Sequence, residues 1–161
     1  MYYVPDIVNA YESVKYLQGE VAFGMIVRGM HHWGASLVIV MVFLHTLRVF
    51  FTGAYKKPRE LNWVVGVLMF FILMGLGFTG YLLPWDMKAY FATVVGLQMA
   101  ESVPIIGTLI KTLLSGDPEI VGAQTLTRFF AIHVFFLPAA LLGLMAVHFI
   151  MIRRQGIAGP L

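Results

Sequence analysis

The stretch GMHHWGASLVIVMVFLHTLRVFF, residues 29–51, decides the fold, because it places three histidines inside a run that is apolar enough to lie in lipid. Its only formal charge is Arg48, near the end of the run. An apolar run of this length predicts a membrane-spanning helix. Ionisable side chains at such depth are costly, and they usually face the interior of a helix bundle and have a function. These histidines are therefore candidates for a functional site.

The composition of the whole chain is that of a membrane protein. Hydrophobic residues make up 60% of the 161 residues and charged residues only 12%, which excludes an ordinary soluble domain. The sequence contains no cysteine, so disulfides, thiolate metal sites, cysteine-ligated iron–sulfur clusters and thioether-attached haem on this chain are excluded. The net charge of +3 does not indicate nucleic-acid binding, because the basic residues do not form one patch.

Three membrane spans are predicted within a single domain, residues 1–161. They cover about residues 31–54, 61–85 and 127–152, of which the second contains no charged residue. Residues 1–30 are predicted to form an outer interfacial segment, and residues 86–126 an outer loop with short helices. The sequence therefore predicts an all-α integral membrane protein, a transmembrane helical bundle in contact with lipid.

The distribution of Lys and Arg predicts the orientation of the spans, because cytoplasmic loops have an excess of these residues. We call the two ends of the bundle inner and outer. The inner end has a single acid, Glu60, against six basic residues: Arg48, Lys56, Lys57, Arg59, Arg153 and Arg154. The outer end has five basic residues against seven acids. Spans one and three then run in the same direction, and span two returns between them.

Histidines on spans one and three repeat at spacings that place them on one helix face. His31 and His45 are 14 residues apart, about 40° from whole turns and about 21 Å along the axis. His133 and His148 are 15 residues apart, about 60° from whole turns. His31 is then level with His133 near the outer end, and His45 with His148 near the inner end. His32 is about 140° off this face and is interpreted as a structural residue.

Each of these two pairs needs a partner that accepts imidazoles from separate helices. The two levels are about 20 Å apart, too far for one metal centre with bonds of about 2 Å, and the close ligand spacing of a di-metal bundle site is missing. Two b-type haems fit best, because haem iron accepts axial imidazoles. For any single histidine, a neutral side chain hydrogen-bonded between helices is the alternative.

Arginines and glycines at matched positions favour haem. An arginine lies outward of each paired histidine, and guanidinium groups suit haem propionates; these residues are Arg28, Arg48, Arg128 and Arg153. Snorkelling or topological anchoring is the alternative for the arginines. Gly66 and Gly80 on span two are also 14 residues apart, so a flat cofactor can approach the helix at two levels. Close packing between helices is the alternative for the glycines.

The chain resembles the cytochrome b family in its split, cytochrome b6-like form, which includes the subunits of bacterial menaquinol:cytochrome c reductases. The resemblance covers nearly the whole chain, and its motifs occur in the order YYVPDIVNAYESV, RGMHHWGAS, LHTLRVF, GAYKKPRELNWVVG, GFTGYLLPWDMKAYFA, VPIIG, TLTRFFAIHVFFLP and HFIMIRRQGIAGPL. The family's first transmembrane helix is expected to end about where this sequence begins, so the resemblance implies a fourth, N-terminal span that we do not expect within these residues. A third haem is expected only if that helix is supplied.

The resemblance implies a role for each residue named above. The outer, low-potential haem iron would be bound by His31 and His133, and the inner, high-potential haem iron by His45 and His148. The two glycines would admit the haem planes, Arg28, Arg48 and Arg128 would pair with propionates, and Arg153 would lie by an inner quinone site. The outer quinol site would include Tyr81, Pro84 and Trp85.

The implied function is that of a di-haem electron-transfer subunit of a quinol:cytochrome c or plastocyanin reductase, active only within its complex. It would carry electrons from an outer quinol-oxidation site to an inner quinone-reduction site and couple this transfer to proton translocation. The implied partners are a Rieske iron–sulfur protein, a second cytochrome b chain with the remaining helices and a c-type cytochrome, in a dimeric complex of the bacterial cell membrane. A di-haem anchor subunit of a dehydrogenase and a non-redox transporter with a histidine relay are the alternatives.

Overall fold

The structure is a computed structural model that describes residues 2–117 and 120–158, and within these ranges it contains helices and no strand. The helices are α1 (Ala10–Gly19), α2 (Gly24–Phe51), α3 (Glu60–Leu82), α4 (Met87–Glu101), α5 (Gly107–Ser115), α6 (Ala123–Ala131) and α7 (Leu137–Gln155). A π-helical segment, Ile132–Phe136, joins α6 to α7. Residue 1, residues 118 and 119 of the predicted outer loop, and residues 159–161 lie outside the described ranges.

Three helices are long and apolar enough to cross a membrane: α2, α3 and the continuous helix Ala123–Gln155. The prediction of an all-α bundle with three spans is confirmed. The bounds differ from those expected, since α2 begins at Gly24 rather than at residue 31, and the third helix begins at Ala123 rather than at residue 127. Hydropathy detects only the apolar part of a helix, so the first turns of α2, which include Arg28, are missed by it.

The junction of α1 and α2 depends on a close backbone approach. Phe23 precedes α2 with a φ of 62°, in the left-handed region, which turns the chain sharply between the two helices. A Cβ atom on Gly24 would overlap the carbonyl oxygen of Leu17, so only glycine fits at the start of α2. This turn folds α1 back onto the outer end of α2.

The buried core lies at the outer end, where α1, α3, α4 and α6 meet. Its fully buried apolar residues are Ala10, Leu82, Leu97, Leu126 and Phe129. Full burial of a side chain as large as Leu or Phe stabilises the fold by about 1.5–3 kcal/mol. Elsewhere the spans expose apolar side chains, as helices do when they face lipid. The core therefore fixes the outer ends of the spans relative to one another.

Tyr3 joins the N-terminal segment to the end of α3. Its hydroxyl donates a hydrogen bond of 2.7 Å to the carbonyl of Leu83, and its ring stacks on Phe130 with centroids 5.4 Å apart. Burial raises the pKa of Tyr3 to about 12, so the phenol remains a neutral donor at physiological pH.

Replacing Tyr3 by phenylalanine is expected to lower the free energy of unfolding by about 1 kcal/mol, because the Leu83 carbonyl loses its donor. Thermal unfolding of the purified complex in detergent measures the change. Tyr2→Phe is the matched control, because the side chain of Tyr2 is exposed. Equal effects of the two substitutions would contradict the role given to the Tyr3 hydroxyl.

Candidate functional site

The first and third spans lie on either side of a groove. Among the described residues, no Cα atom of α2 comes within 8 Å of a Cα atom of the third span, whereas both spans approach α3 at this distance. Directly packed helices have axes only about 8–10 Å apart. The groove between these two spans therefore leaves room for a bound group, with α3 connecting its two walls.

At the outer end of the groove, His31 of α2 faces His133 of the π-helical segment. Their ring centroids are 6.1 Å apart and their planes make an angle of 82°. Two imidazoles on opposite sides of one metal ion have centroids about 6 Å apart, the sum of two metal–nitrogen bonds of about 2 Å and two ring radii. The separation of the two rings thus fits an ion bound between them. His32 instead packs edge-on against Trp33.

At the inner end, His45 and His148 line one cavity of about 430 Å³. The cavity lies between the end of α2, the start of α3 and the end of α7, and its volume falls in the range of small-molecule sites. Nδ1 of His148 and Oδ1 of Asn62 are buried there, with no hydrogen bond of normal geometry to any described residue.

The π-helical segment explains the unequal spacing of the histidines on the two spans. His133 lies within this segment, and no π turn is present in α2. A π turn replaces an i→i+4 hydrogen bond by an i→i+5 bond and so absorbs one extra residue without an extra rotation of the helix. The 15-residue spacing of the third span therefore behaves like the 14-residue spacing of α2. Sequence periodicity did not predict this segment. Its only signal in the sequence was that His133 and His148 lie about 60° from whole turns of an α-helix.

Gly80 and Gly66 both face histidine rings of the third span. A Cβ atom on Gly80 would lie 2.9 Å from Nδ1 and 3.1 Å from Nε2 of His133, and it would overlap Cε1 of the same ring. A Cβ atom on Gly66 would lie 3.5 Å from Cε1 of His148, an ordinary contact. Because glycine has no side chain, both imidazoles lie close to the backbone of α3. The approach is closer at Gly80, at the outer level, than at Gly66, at the inner level.

The two outer arginines have protein partners in the structure. Nη1 of Arg28 donates a 2.7 Å hydrogen bond to Oε1 of Gln18 in α1. Nη1 of Arg128 donates to the carbonyl oxygens of Thr112 and Leu113, at 3.2 and 2.6 Å. Arg128 thereby satisfies carbonyls at the C-terminus of α5, where a cation is favoured by the helix dipole. This interaction between α5 and α6 could not be predicted from the sequence pattern.

The two inner arginines are exposed, and Arg48 lines the inner cavity with His45. Arg153 lies in the last turn of α7, close in sequence to the cavity residue Ile152. A third arginine, Arg59, also lines this cavity, and its Nε donates a long, 3.4 Å hydrogen bond to the carbonyl of Gly156. Two arginines, Arg48 and Arg59, therefore line the cavity at the inner end of the groove.

The three candidate residues of the outer quinol site lie at the turn between α3 and α4. Tyr81 is exposed in the last turn of α3, and Pro84 is half-buried after it. Trp85 has a φ of 53° and lines a shallow depression of about 570 Å³ with Tyr11 and Lys88. The structure brings only Trp85 of these three residues into this depression.

The donor set of each histidine pair fits haem. Among the described residues, no three His, Cys, Asp or Glu side chains cluster as a metal site. Each pair therefore offers two nitrogen donors, and the other coordination positions must come from the bound group. Haem supplies these positions through its macrocycle and accepts two axial imidazoles. Fold and site define a membrane-spanning helical protein with one pair of histidines at each end of the groove.

Comparison with known proteins identifies the family. A family model described as Cytochrome b/b6/petB matches residues 1–156. The chain belongs to the cytochrome b family, as its motifs predicted, and this membership implies binding of haem b. The menaquinol:cytochrome c reductase cytochrome b subunit of Geobacillus thermodenitrificans is 84% identical over 161 residues, which are 100% of this chain and 72% of the relative. The corresponding subunit of Bacillus subtilis (strain 168) is 83% identical with the same coverage.

More distant relatives agree with this assignment. Cytochrome b6 of Heliobacterium modesticaldum is 48% identical over 160 residues, which are 99% of this chain and 75% of the relative. A solved structure described as hyperthermophilic respiratory Complex III superposes with a TM-score of 0.89 at 35% sequence identity. That match covers 99% of this chain and 43% of the other chain, so this chain spans less than half the length of its structural relative.

Proposed function

We propose that this chain is the di-haem electron-transfer subunit of a quinol:cytochrome c reductase. It carries electrons across the membrane from an outer quinol-oxidation site to an inner quinone-reduction site and couples this transfer to proton translocation. The main support is the approach of His31 to His133 across the groove, with His45 and His148 in one cavity at the opposite end. The relatives named above are reductase subunits or a cytochrome b6.

The paired histidines hold one haem at each end of the groove. His31 and His133 bind the outer haem iron, and His45 and His148 bind the inner one. Bound haem iron supplies one-electron exchange between its ferric and ferrous states. The helices keep the imidazoles at two depths in a medium of low dielectric constant, where ligand identity, hydrogen bonding and burial set the reduction potentials. Gly66 and Gly80 allow the histidine-bearing third span to lie close to α3.

The arginines at the two ends of the groove complete the proposed sites. Arg28 and Arg128 at the outer end and Arg48 at the inner end pair with haem propionates, because guanidinium groups bind carboxylates in a bidentate manner. Arg153 lies by the inner quinone site, and Tyr81, Pro84 and Trp85 form part of the outer quinol site. The free donors on Arg28 and Arg128 remain available beside their present partners, since a guanidinium has five N–H groups.

The remaining parts of the complex come from partners. We expect a Rieske iron–sulfur protein, a c-type cytochrome and a second cytochrome b chain with further helices, assembled as a dimer in the bacterial cell membrane. The support is that the chain of the solved Complex III is more than twice as long as the part that this chain covers, 43%. The spans expose apolar side chains that helices of a partner chain can cover. We therefore expect the quinone sites to lie between polypeptides.

The intact complex, reduced with dithionite, is expected to show a b-type absorption band and two haems b for each copy of this chain. His31→Ala is expected to remove one of them, because His133 loses its partner across the groove. His32→Ala is expected to leave both, because the His32 ring packs on Trp33. A pyridine haemochrome assay measures the haem content of each variant.

Three outcomes would contradict parts of this proposal. A reduced complex without a b-type band would support a transporter with a histidine relay. Two haems without quinol-dependent reduction of a cytochrome would support a dehydrogenase anchor. Equal haem loss in His31→Ala and His32→Ala would contradict the pairing across the groove.

A further inference from the structure

Helix α3 presents the same backbone pattern to both histidines of the third span. At each level a glycine faces the ring, and a carbonyl group lies four residues earlier: Leu76 before Gly80, and Asn62 before Gly66. In an α-helix the carbonyl of residue i accepts from the N–H of residue i+4 and keeps a second lone pair. A side chain at i+4 would cover the preceding turn. Glycine therefore leaves this carbonyl accessible to a neighbouring helix. We call each such pair a carbonyl–glycine socket.

The outer socket fixes the tautomer of His133. Nδ1 of His133 lies 3.0 Å from the carbonyl oxygen of Leu76 and 3.4 Å from Oγ1 of Thr79. The hydroxyl of Thr79 donates its hydrogen to the carbonyl of Gly75 at 2.8 Å, so towards His133 it acts as an acceptor. Both neighbours of Nδ1 are thus acceptors, and Nδ1 must carry the hydrogen. The lone pair of the neutral ring is then on Nε2, which is the nitrogen free to bind a metal.

The inner socket makes a weaker contact. Nδ1 of His148 is 4.0 Å from the position that a Cβ atom on Gly66 would occupy. It is buried without a hydrogen bond of normal geometry within the described part of the chain, although the backbone of Asn62 interacts with it. The residue before Gly66 is Val65, whereas the residue before Gly80 is Thr79. The inner level therefore lacks the supporting hydroxyl of the outer level.

We propose that Thr79 and the Leu76–Gly80 socket position His133 and make it a stronger electron donor to iron than His148. A hydrogen bond from the non-ligating nitrogen of a histidine raises the basicity of the ligating nitrogen. A more basic axial ligand stabilises the ferric state and lowers the reduction potential of the haem. This inference depends on the proposed di-haem function. It assigns part of the potential difference between the outer and inner haems to unequal hydrogen bonding on α3.

Thr79→Val tests this inference, because valine has the shape of threonine without the acceptor oxygen. We expect the reduction equilibrium of the outer haem to shift by roughly threefold towards the ferrous state, where tenfold corresponds to 59 mV for one electron. The inner haem is expected to keep its potential. Thr79→Ser is expected to restore the outer potential. A redox titration of the purified complex, followed optically at the two haems, measures each value.

Thr93→Val is the matched control. Thr93 is as buried as Thr79, and its hydroxyl donates to the carbonyl four residues earlier in α4, but among the described residues it has no hydrogen bond to a histidine. This variant is expected to leave both potentials unchanged. An unchanged outer potential in Thr79→Val with both haems bound would overturn the inference, as would loss of the outer haem in both Thr79→Val and Thr79→Ser. Loss in the valine variant alone would support it. A wild-type complex without haem would instead overturn the proposed function.

Discussion

Replacing Gly80 by alanine is expected to abolish binding of the outer haem and to leave the inner haem in place. The new Cβ atom would lie 2.9 Å from Nδ1 of His133 and would overlap Cε1 of the same ring. His133 cannot move away without breaking its 3.0 Å hydrogen bond to the Leu76 carbonyl, which would cost about 1–3 kcal/mol for the groups left unpaired. The displaced imidazole would no longer face His31. The haem content of the purified complex and its reduced spectrum measure the loss.

Two other glycines of α3 provide matched controls for Gly80→Ala. Gly77→Ala is expected to keep both haems, because the nearest atom to its new Cβ would be Cδ1 of Ile39 at 3.9 Å. Gly66→Ala is expected to keep most of the inner haem, because its Cβ would lie at an ordinary distance of 3.5 Å from His148. If Gly66→Ala and Gly80→Ala each removed one haem completely, the glycines would serve the haem planes and not the imidazole rings.

Deleting a single residue from the π-helical segment is expected to preserve both haems, although it lies between two proposed iron ligands. Without Phe135, the spacing of His133 and His148 falls from 15 to 14 residues, and the π turn can close to an α turn. His133 and His148 would then lie about 40° from whole turns, the same offset as His31 and His45 in α2. Phe135 is 66% exposed, so its deletion removes little internal packing. Haem content per complex measures the outcome.

The same deletion in α2 is expected to remove a haem. Val38 lies between His31 and His45 in a helix that has no π turn to absorb the change. Its deletion leaves a spacing of 13 residues and rotates one histidine about 140° off the face. An extra residue inserted after Phe135 is likewise expected to fail, because the π turn already absorbs one residue and a second would turn one histidine by about 100° relative to the other. Equal haem loss on deletion of Phe135 and of Val38 would contradict the role given to the π segment.

The levels of the histidines were predictable because they depend on helix periodicity alone. His31, His45, His133 and His148 repeat at whole turns of two parallel spans, and the structure brings the outer two together at 6.1 Å. The separation of His32 from this face follows from the same rotation. Family motifs predicted the cytochrome b family, and the match over residues 1–156 confirms it. The short helices of the outer loop, α4 and α5, also follow from the loop's length and composition.

Contacts between distant segments were not predictable from these patterns. The position of Arg128 in the sequence predicts pairing with a haem propionate. In the structure its Nη1 donates a hydrogen bond to the carbonyl oxygen of Leu113, because the C-terminus of α5 lies beside it. Gly80 and Gly66 have the spacing expected beside a cofactor, but their closest neighbours are imidazole rings. The hydrogen bond from His133 to Leu76 involves a main-chain carbonyl, which every residue has, so no residue type marks it in the sequence.

The open groove between α2 and the third span has a consequence for biogenesis. In an apoprotein this seam has no backbone packing among the described residues, so only α3 and the outer core join its two walls. A ligand that binds the folded state alone stabilises that state by mass action. Cofactor insertion should therefore join the two walls of the groove and stabilise the folded bundle. Copies that fail to acquire iron porphyrin should be the preferred substrates of membrane proteases.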